Sequence, residues 1–216
     1  MDCPHLIYFA DPMCSWCWGF SPVIEAIVAL KGERLPIRLV MGGLRPGTAE
    51  AMTAKARGDV RDHWRHVTEA SGQPFGASPI DREGFVYDTD PAARAVVLAR
   101  RRGPAMGLAY LRAAHRAFYL EGRDVVDPEV LADLAGELGL EKATFRVELA
   151  DEDLKRETWR DYAISQGAGV TGFPTLIVGP NPDATWAMIA RGFQPAVHVL
   201  ASIEEWLAAR VETSSA

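Results

Sequence analysis

A chain of 216 residues, 48% hydrophobic and 24% charged, has material for one large core or two small ones and is too apolar to be disordered. Its formal net charge of -6 argues against a nucleic-acid binder, which needs a basic face. No apolar run approaches the ~20 residues that span a bilayer, so no membrane partner is expected.

Met1-Asp2-Cys3-Pro4-His5 has no basic or long apolar region of a secretory signal, so a native start of this kind predicts a cytoplasmic protein. The three cysteines, Cys3, Cys14 and Cys17, are too few for a secreted disulfide framework.

Leu6 to Ala10 is continuously apolar between Pro4 and Pro12, which predicts a buried central strand. The pair Cys14-Ser15-Trp16-Cys17 follows. Then Phe20, Val23, Ile24, Ile27 and Val28 form the stripe of an amphipathic helix, with Gly32 as its terminator. Pro22 lies inside this helix and deprives the Trp18 carbonyl of its partner, so a kink is expected. Leu35 to Met41 reads as a second strand closed by Gly42-Gly43. A strand–helix–strand unit of this length makes the strands parallel.

From about Pro46 to Gln166 the strand signal disappears. Asp90-Pro91 and Asp127-Pro128 each supply an N-cap followed by proline at the first helical position. Pro104 opens a helix after Gly103, Gly139 and Gly167 read as helix stops, and Gly72 to Asp81 reads as a loop. Strands return at Thr175–Val178 and Trp186–Ala190. They are joined antiparallel through the turn formers Gly179-Pro180-Asn181-Pro182-Asp183. A last helix runs from about Pro195 to Ala209, with Leu200, Ile203 and Leu207 on one face, before a frayed Thr213–Ala216 tail.

The order β-α-β, helical insert, β-β-α is an α/β thioredoxin-like fold. Residues 1–45 and 166–216 form the thioredoxin-like domain, and 46–165 form an inserted helical domain.

The chemistry follows from placement. Two thiols at the first turn of a helix sit where its free N–H groups and dipole favour negative charge. Cys14, the more exposed of the two, is the expected nucleophile. Cys17, one turn on and more buried, resolves the mixed disulfide. Ser15 and Trp16 between them tune the redox poise, and neither carries a positive charge. A proline just ahead of an apolar strand is unusual, so Val170-Thr171-Gly172-Phe173-Pro174-Thr175 is expected to turn at a cis Phe173-Pro174 bond. That turn would bring the loop against the cysteines, where the Phe173 backbone can pair with an extended substrate. Trp16 and Trp18 would pack over the site.

Other residues receive structural readings. Asp11 is read as capping the active-site helix in preference to relaying protons to Cys17, Glu25 faces solvent, and His63 and His66 lie on a partly exposed helix face. His115 and His198 are surface or core histidines, and Arg100-Arg101-Arg102 is a solvated charge run at a helix end.

The segments Asp11-Pro12-Met13-Cys14-Ser15-Trp16-Cys17-Trp18-Gly19-Phe20, Gly172-Phe173-Pro174-Thr175 and Tyr87–Ala95 resemble the DsbA family of thioredoxin-fold oxidoreductases. The likeness is closest to its FrnE-like, disulfide-isomerase branch, and Pro22 resembles the kinking proline of such helices. The resemblance covers nearly the whole chain. It implies catalysis by Cys14, Cys17 and Pro174, with Ser15, Trp16, Trp18 and Phe173 contacting substrate. It implies no bound cofactor or metal, and as partners protein or peptide thiols and disulfides, with glutathione as a redox partner. Ser15-Trp16 differs from the Pro-His of periplasmic DsbA and leaves oxidase, reductase and isomerase directions open.

Two alternatives stand. One is a glutathione-dependent transferase or isomerase of the kappa-class type, whose members typically carry serine where this chain has a cysteine. The other is a zinc-holding module built from Cys3, His5, Cys14 and Cys17.

Overall fold

The computed structural model describes residues 4–180 and 184–214. Cys3, the Asn181-Pro182-Asp183 part of the predicted turn, and the last two residues lie outside that range.

Strand β1 (His5–Ala10) is central in a four-stranded sheet of order β2-β1-β3-β4. It pairs parallel with β2 (Ile37–Met41) and antiparallel with β3 (Thr175–Gly179). Strand β4 (Ala187–Arg191) closes the far edge, antiparallel to β3. An inner strand is covered on both faces: Leu6, Tyr8, Phe9 and Ala10 are buried, and Ile7 is partly buried. Trp186, predicted inside the last strand, falls just before it.

Helix α1 (Ser15–Lys31) connects β1 to β2. It begins a full turn before the apolar stripe and continues through Pro22 to end at Gly32, whose φ of 48° suits glycine. Phe20, Val23, Ile24 and Ile27 are buried, but Val28 is 47% exposed, at the edge of the stripe.

Helices α2 (Ala54–Ser71), α3 (Asp90–Arg100), α4 (Pro104–Tyr119), α5 (Pro128–Glu137), α6 (Lys142–Glu148) and α7 (Glu152–Gly167) follow, and α8 (Ala196–Ser214) ends the described chain beyond its predicted stop. Their starts show the expected chemistry. The Asp127 side chain accepts from the Glu129 N–H, and Pro104 opens α4 after Gly103.

One boundary is corrected. Thr89, not Asp90, is the N-cap of α3, which leaves the Asp90 carboxylate free to pair with Arg94 at 2.9 Å and to accept the Tyr162 hydroxyl at 3.1 Å. Helix α7 stops at Gly167, as expected, and the left-handed residue that follows is Gly169, with φ 70°.

One continuous buried cluster runs from Leu6, Tyr8 and Leu176 of the sheet through Phe20 and Ile27 of α1 to Val96 and Phe118 in α3 and α4.

The arginine run is also corrected. Arg100 does not face solvent: its guanidinium is bidentate on Asp161, at 2.7 and 3.2 Å, and donates to the Leu39 carbonyl at 2.5 Å. Asp161 of α7 in turn accepts from the Met41 N–H at 2.9 Å. Strand β2 is a sheet edge, and edges expose unpaired backbone groups. The Arg100–Asp161 pair therefore stands in for a missing fifth strand. Arg101 and Arg102 make the surface ion pairs, to Glu157 and Glu148.

Candidate active site

The site is built on the turn that leaves β1. The Asp11 carboxylate, fully buried, accepts from the Met13 N–H at 2.9 Å and from the Leu44 N–H at 2.8 Å. The Tyr87 hydroxyl donates to the Met13 carbonyl at 2.6 Å. Asp11 thus ties the β1 turn to the loop after β2. This corrects the expectation that it caps α1: the N-cap residue is Cys14 itself, extended and with no side-chain cap. The first turn of α1 also holds no acidic residue, so its N–H groups and dipole act on whatever charge Cys14 carries.

Both cysteines are free thiols, with Cys14 6% exposed and Cys17 fully buried. Burial pushes the Cys17 thiol well up from its ordinary value, and its hydrogen bond with Cys14 adds to the rise. The Cys14 Sγ donates to the Phe173 carbonyl at 3.5 Å. That carbonyl precedes a cis Phe173-Pro174 bond, as expected from the sequence, and Pro174 is buried where β3 begins. The loop is held by Thr175 Oγ1 donating to the Gly172 carbonyl at 2.8 Å and by the Gly192 N–H donating to the Pro174 carbonyl at 2.8 Å.

The Phe173 ring lies on Gly42, where a Cβ would come within 2.2 Å of it. Gly42 has no left-handed backbone to strain, so Gly42→Ala is expected to fold and to displace only the ring and the loop behind it. A misplacement of about 1 Å can lower kcat/KM by about 10²-fold. Steady-state kinetics beside a thermal melt check this; unchanged kinetics would remove Phe173 from the site.

Cys14, Ser15, Trp16 and Phe173 line one open groove of about 430 Å³, closed on the far side by Val60 and His63 of α2. Trp16 is half-buried, with His63 edge-on at 5.6 Å and Phe193 at 5.9 Å. His63, expected only on a partly exposed helix face, is a wall of the groove. The spacing Ala56, Val60, His63 runs beside the buried Trp64 and Val67 of the same helix and marks that face. Arg45, over the Tyr87 ring at 5.0 Å, is a second wall missed in the sequence. Trp18 is corrected the other way. It is buried away from the groove, its indole N–H donates to the Pro74 carbonyl at 2.9 Å, and its ring stacks on Tyr119. Glu25 is exposed and paired with Arg112, as expected.

Behind the turn, His115 is a core residue: Nε2 donates to the Asp11 carbonyl at 3.1 Å, and Nδ1 lies 3.4 Å from Ser21 Oγ. Burial pushes Asp11 up to about 6 and pulls His115 down to about 4. The signs oppose. Folded Asp11 holds a proton that the unfolded chain has released, so its contribution falls as pH rises from about 4 to about 6. Folded His115 refuses a proton that the unfolded chain takes up, so its contribution is full above 6.5 and is lost as pH falls through about 4. Each term is about 3 kcal/mol. The stability advantage of the parent chain over His115→Gln is therefore expected to shrink by about 3 kcal/mol between pH 7 and pH 4. Urea unfolding at both pH values measures it, and a gap independent of pH would contradict a neutral buried imidazole.

Among the described residues no three metal-ligating side chains cluster. His5 opens β1 with its ring against Trp186, and the cysteines follow the other end of that strand, about 17 Å away at a strand's rise. No described helix is long and apolar enough to cross a membrane.

With this geometry in hand, the relatives are informative. A protein from Nitrosomonas europaea assigned as a protein disulfide isomerase superposes with a TM-score of 0.86 at 34% identity, over 96% of this chain and 99% of that one. The cytosolic disulfide reductase DsbM from Pseudomonas aeruginosa superposes with a TM-score of 0.76 at 29% identity, over 95% and 99% of the two chains, and was also solved with GSH. Among curated proteins, the ClpXP adapter protein SpxH of Halalkalibacterium halodurans is 25% identical over 185 residues, which is 81% of this chain and 58% of that protein. The chain thus spans less than two thirds of the length of the curated relatives it matches. The profile of the DSBA-like thioredoxin domain matches residues 5–190, and the chain belongs to that family.

Proposed function

We propose that this protein is a thiol–disulfide oxidoreductase whose working pair is Cys14 and Cys17. The observation that carries the reading is the Cys14 thiol, at an uncapped helix start in an open groove and 3.5 Å from the Phe173 carbonyl.

The Cys14 thiolate attacks one sulfur of a substrate disulfide. A Cys14–substrate disulfide forms, and the other substrate sulfur leaves as a thiolate. Cys17, deprotonated, then attacks Cys14 Sγ, closes the Cys14–Cys17 disulfide and expels the second thiolate. The substrate gains two electrons and the protein loses two; the reverse sequence oxidises a dithiol. Cys17 is held protonated by burial until that second step. The proton that Cys17 gives up passes to the departing second thiolate, which leaves as a thiol. Ser15, Trp16 and Phe173 contact the substrate, and Pro174 holds the Phe173 carbonyl in place. Trp18 acts only through packing.

The substrates are protein or peptide disulfides, with glutathione as the small redox partner, in a reducing compartment such as the cytoplasm. The helices of residues 46–165 serve as a lid domain on the thioredoxin-like halves 1–45 and 166–216, with α2 as the groove wall.

Incubation of the reduced protein with oxidised glutathione, then alkylation and peptide mass analysis, tests this. Cys14 and Cys17 are expected to become protected together, with loss of two hydrogens. Independent alkylation of both would overturn the reading.

A second reading, a protein-binding adapter, is favoured by the SpxH relatives. It predicts a partner whose binding survives loss of both thiols.

A further inference from the structure

A second cavity, of about 390 Å³, opens between α1 and α4 and shares no residue with the Cys14 groove. That volume lies in the range of ligand pockets. Its walls are apolar: Ile24 and Val28 of α1 face Leu108 and Ala109 of α4. Val28 is 47% exposed there, an apolar side chain that folding leaves in water. The mouth carries the Glu25–Arg112 ion pair at 2.8 Å, whose charges cancel. An occupant is therefore neutral rather than ionic.

The floor is polar and at least nine-tenths buried. Tyr8 is 1% exposed, Ser21 8% and His115 1%, and all three line the cavity. Counting their protons defines what they lack. A carbonyl can only accept, so His115 Nε2 carries the ring proton given to the Asp11 carbonyl, and Nδ1 presents a lone pair. The Cys17 carbonyl, 3.2 Å from Ser21 Oγ, already takes the Ser21 N–H of the helix, so the hydroxyl proton is available to His115 Nδ1 at 3.4 Å. The Tyr8 hydroxyl lies beside the Cys17 thiol. Ser21, His115 and Tyr8 all have partners within the protein, and the spare lone pairs of the Ser21 hydroxyl make the floor an acceptor for one further donor.

We propose that this cavity binds a small, neutral aromatic molecule carrying one O–H or N–H donor, of which phenol is the simplest member. The ring occupies the apolar slot between Ile24, Val28 and Leu108, and the donor points down to Ser21 and His115. An occupant sits one hydrogen bond from Cys17, through Ser21, yet the proposal does not depend on the thiol chemistry.

The test uses phenol and toluene, which match in size and differ in the donor. Titrations of the full chain are followed by amide chemical shifts. Phenol is expected to give saturable shifts at residues of α1 and α4 and to bind about 2–10-fold more tightly than toluene, the worth of one hydrogen bond. Ala109→Trp fills the slot and is expected to abolish phenol binding. If that variant does not fold, Ala105→Trp at the exposed mouth serves the same purpose. Ser21→Ala combined with His115→Phe, which removes both acceptors, is expected to bring phenol and toluene to equal affinity.

The proposal is overturned by any of four results: no saturable phenol binding, toluene binding as tightly as phenol, phenol binding that survives the filled slot, or a phenol preference that survives the double change Ser21→Ala with His115→Phe.

Discussion

Cys14→Ser is expected to lower disulfide reduction, measured on insulin with a dithiol donor, by at least ~10³-fold, to the uncatalysed level. A serine hydroxyl keeps the shape of the side chain and its hydrogen bond to the Phe173 carbonyl but cannot form a disulfide. Thermal stability should therefore stay close to that of the parent, which separates lost chemistry from lost fold. Cys17→Ala should behave differently. Cys14 still attacks, but nothing internal resolves the product, so a covalent Cys14–substrate disulfide accumulates and is released by added thiol. The pair of variants distinguishes a dithiol enzyme from a transferase or an adapter, because neither of those needs Cys17. Wild-type rates in Cys14→Ser, or no trapped adduct in Cys17→Ala, would remove the dithiol mechanism.

The second large effect is on stability and lies far from the thiols in sequence. Asp161→Ala should destabilise the protein by about 3 kcal/mol or more, because it takes its bidentate carboxylate from the Arg100 guanidinium, only 20% exposed, and leaves it the more distant Glu157 at 3.6 Å. It also leaves the Met41 N–H of the β2 edge without its acceptor. For a chain of this size such a loss corresponds to a fall of about 6–20 °C in Tm. Arg100→Met combined with Asp161→Leu should recover part of it, since no orphan charge remains. A melt of Asp161→Ala within about 2 °C of the parent would show that the edge is held by packing alone.

The same pair shows where sequence reading stops. Arg100-Arg101-Arg102 has the composition of a solvated helix end, and two of the three arginines behave so. Arg100 differs because α3 lays it against the edge of β2, beside a carboxylate 61 residues later. Trp16 and Trp18 were indistinguishable as neighbours of the thiols. Two positions on a helix turn the side chain by about 200°, which puts one in the groove and the other against Tyr119. The groove wall at His63 was visible only as a weakly apolar face, since the sequence cannot say which helix lies opposite Cys14.

What the amino-acid sequence determined by itself was everything governed by near neighbours. That includes the β-α-β and β-β-α order, the proline and aspartate helix starts, the dithiol at the beginning of α1 and the unusual proline ahead of β3. Periodicity, capping and backbone geometry act over a few residues and are written there directly. The tertiary structure alone decided which groups meet: the Cys14 thiol and the Phe173 carbonyl, 159 positions apart, Arg100 with Asp161 at the sheet edge, and Asp11 with Leu44 in place of a helix cap. Each of those depends on burial and on a partner from a distant segment, and a hydrophobic pattern records the face that will be covered but not what will cover it.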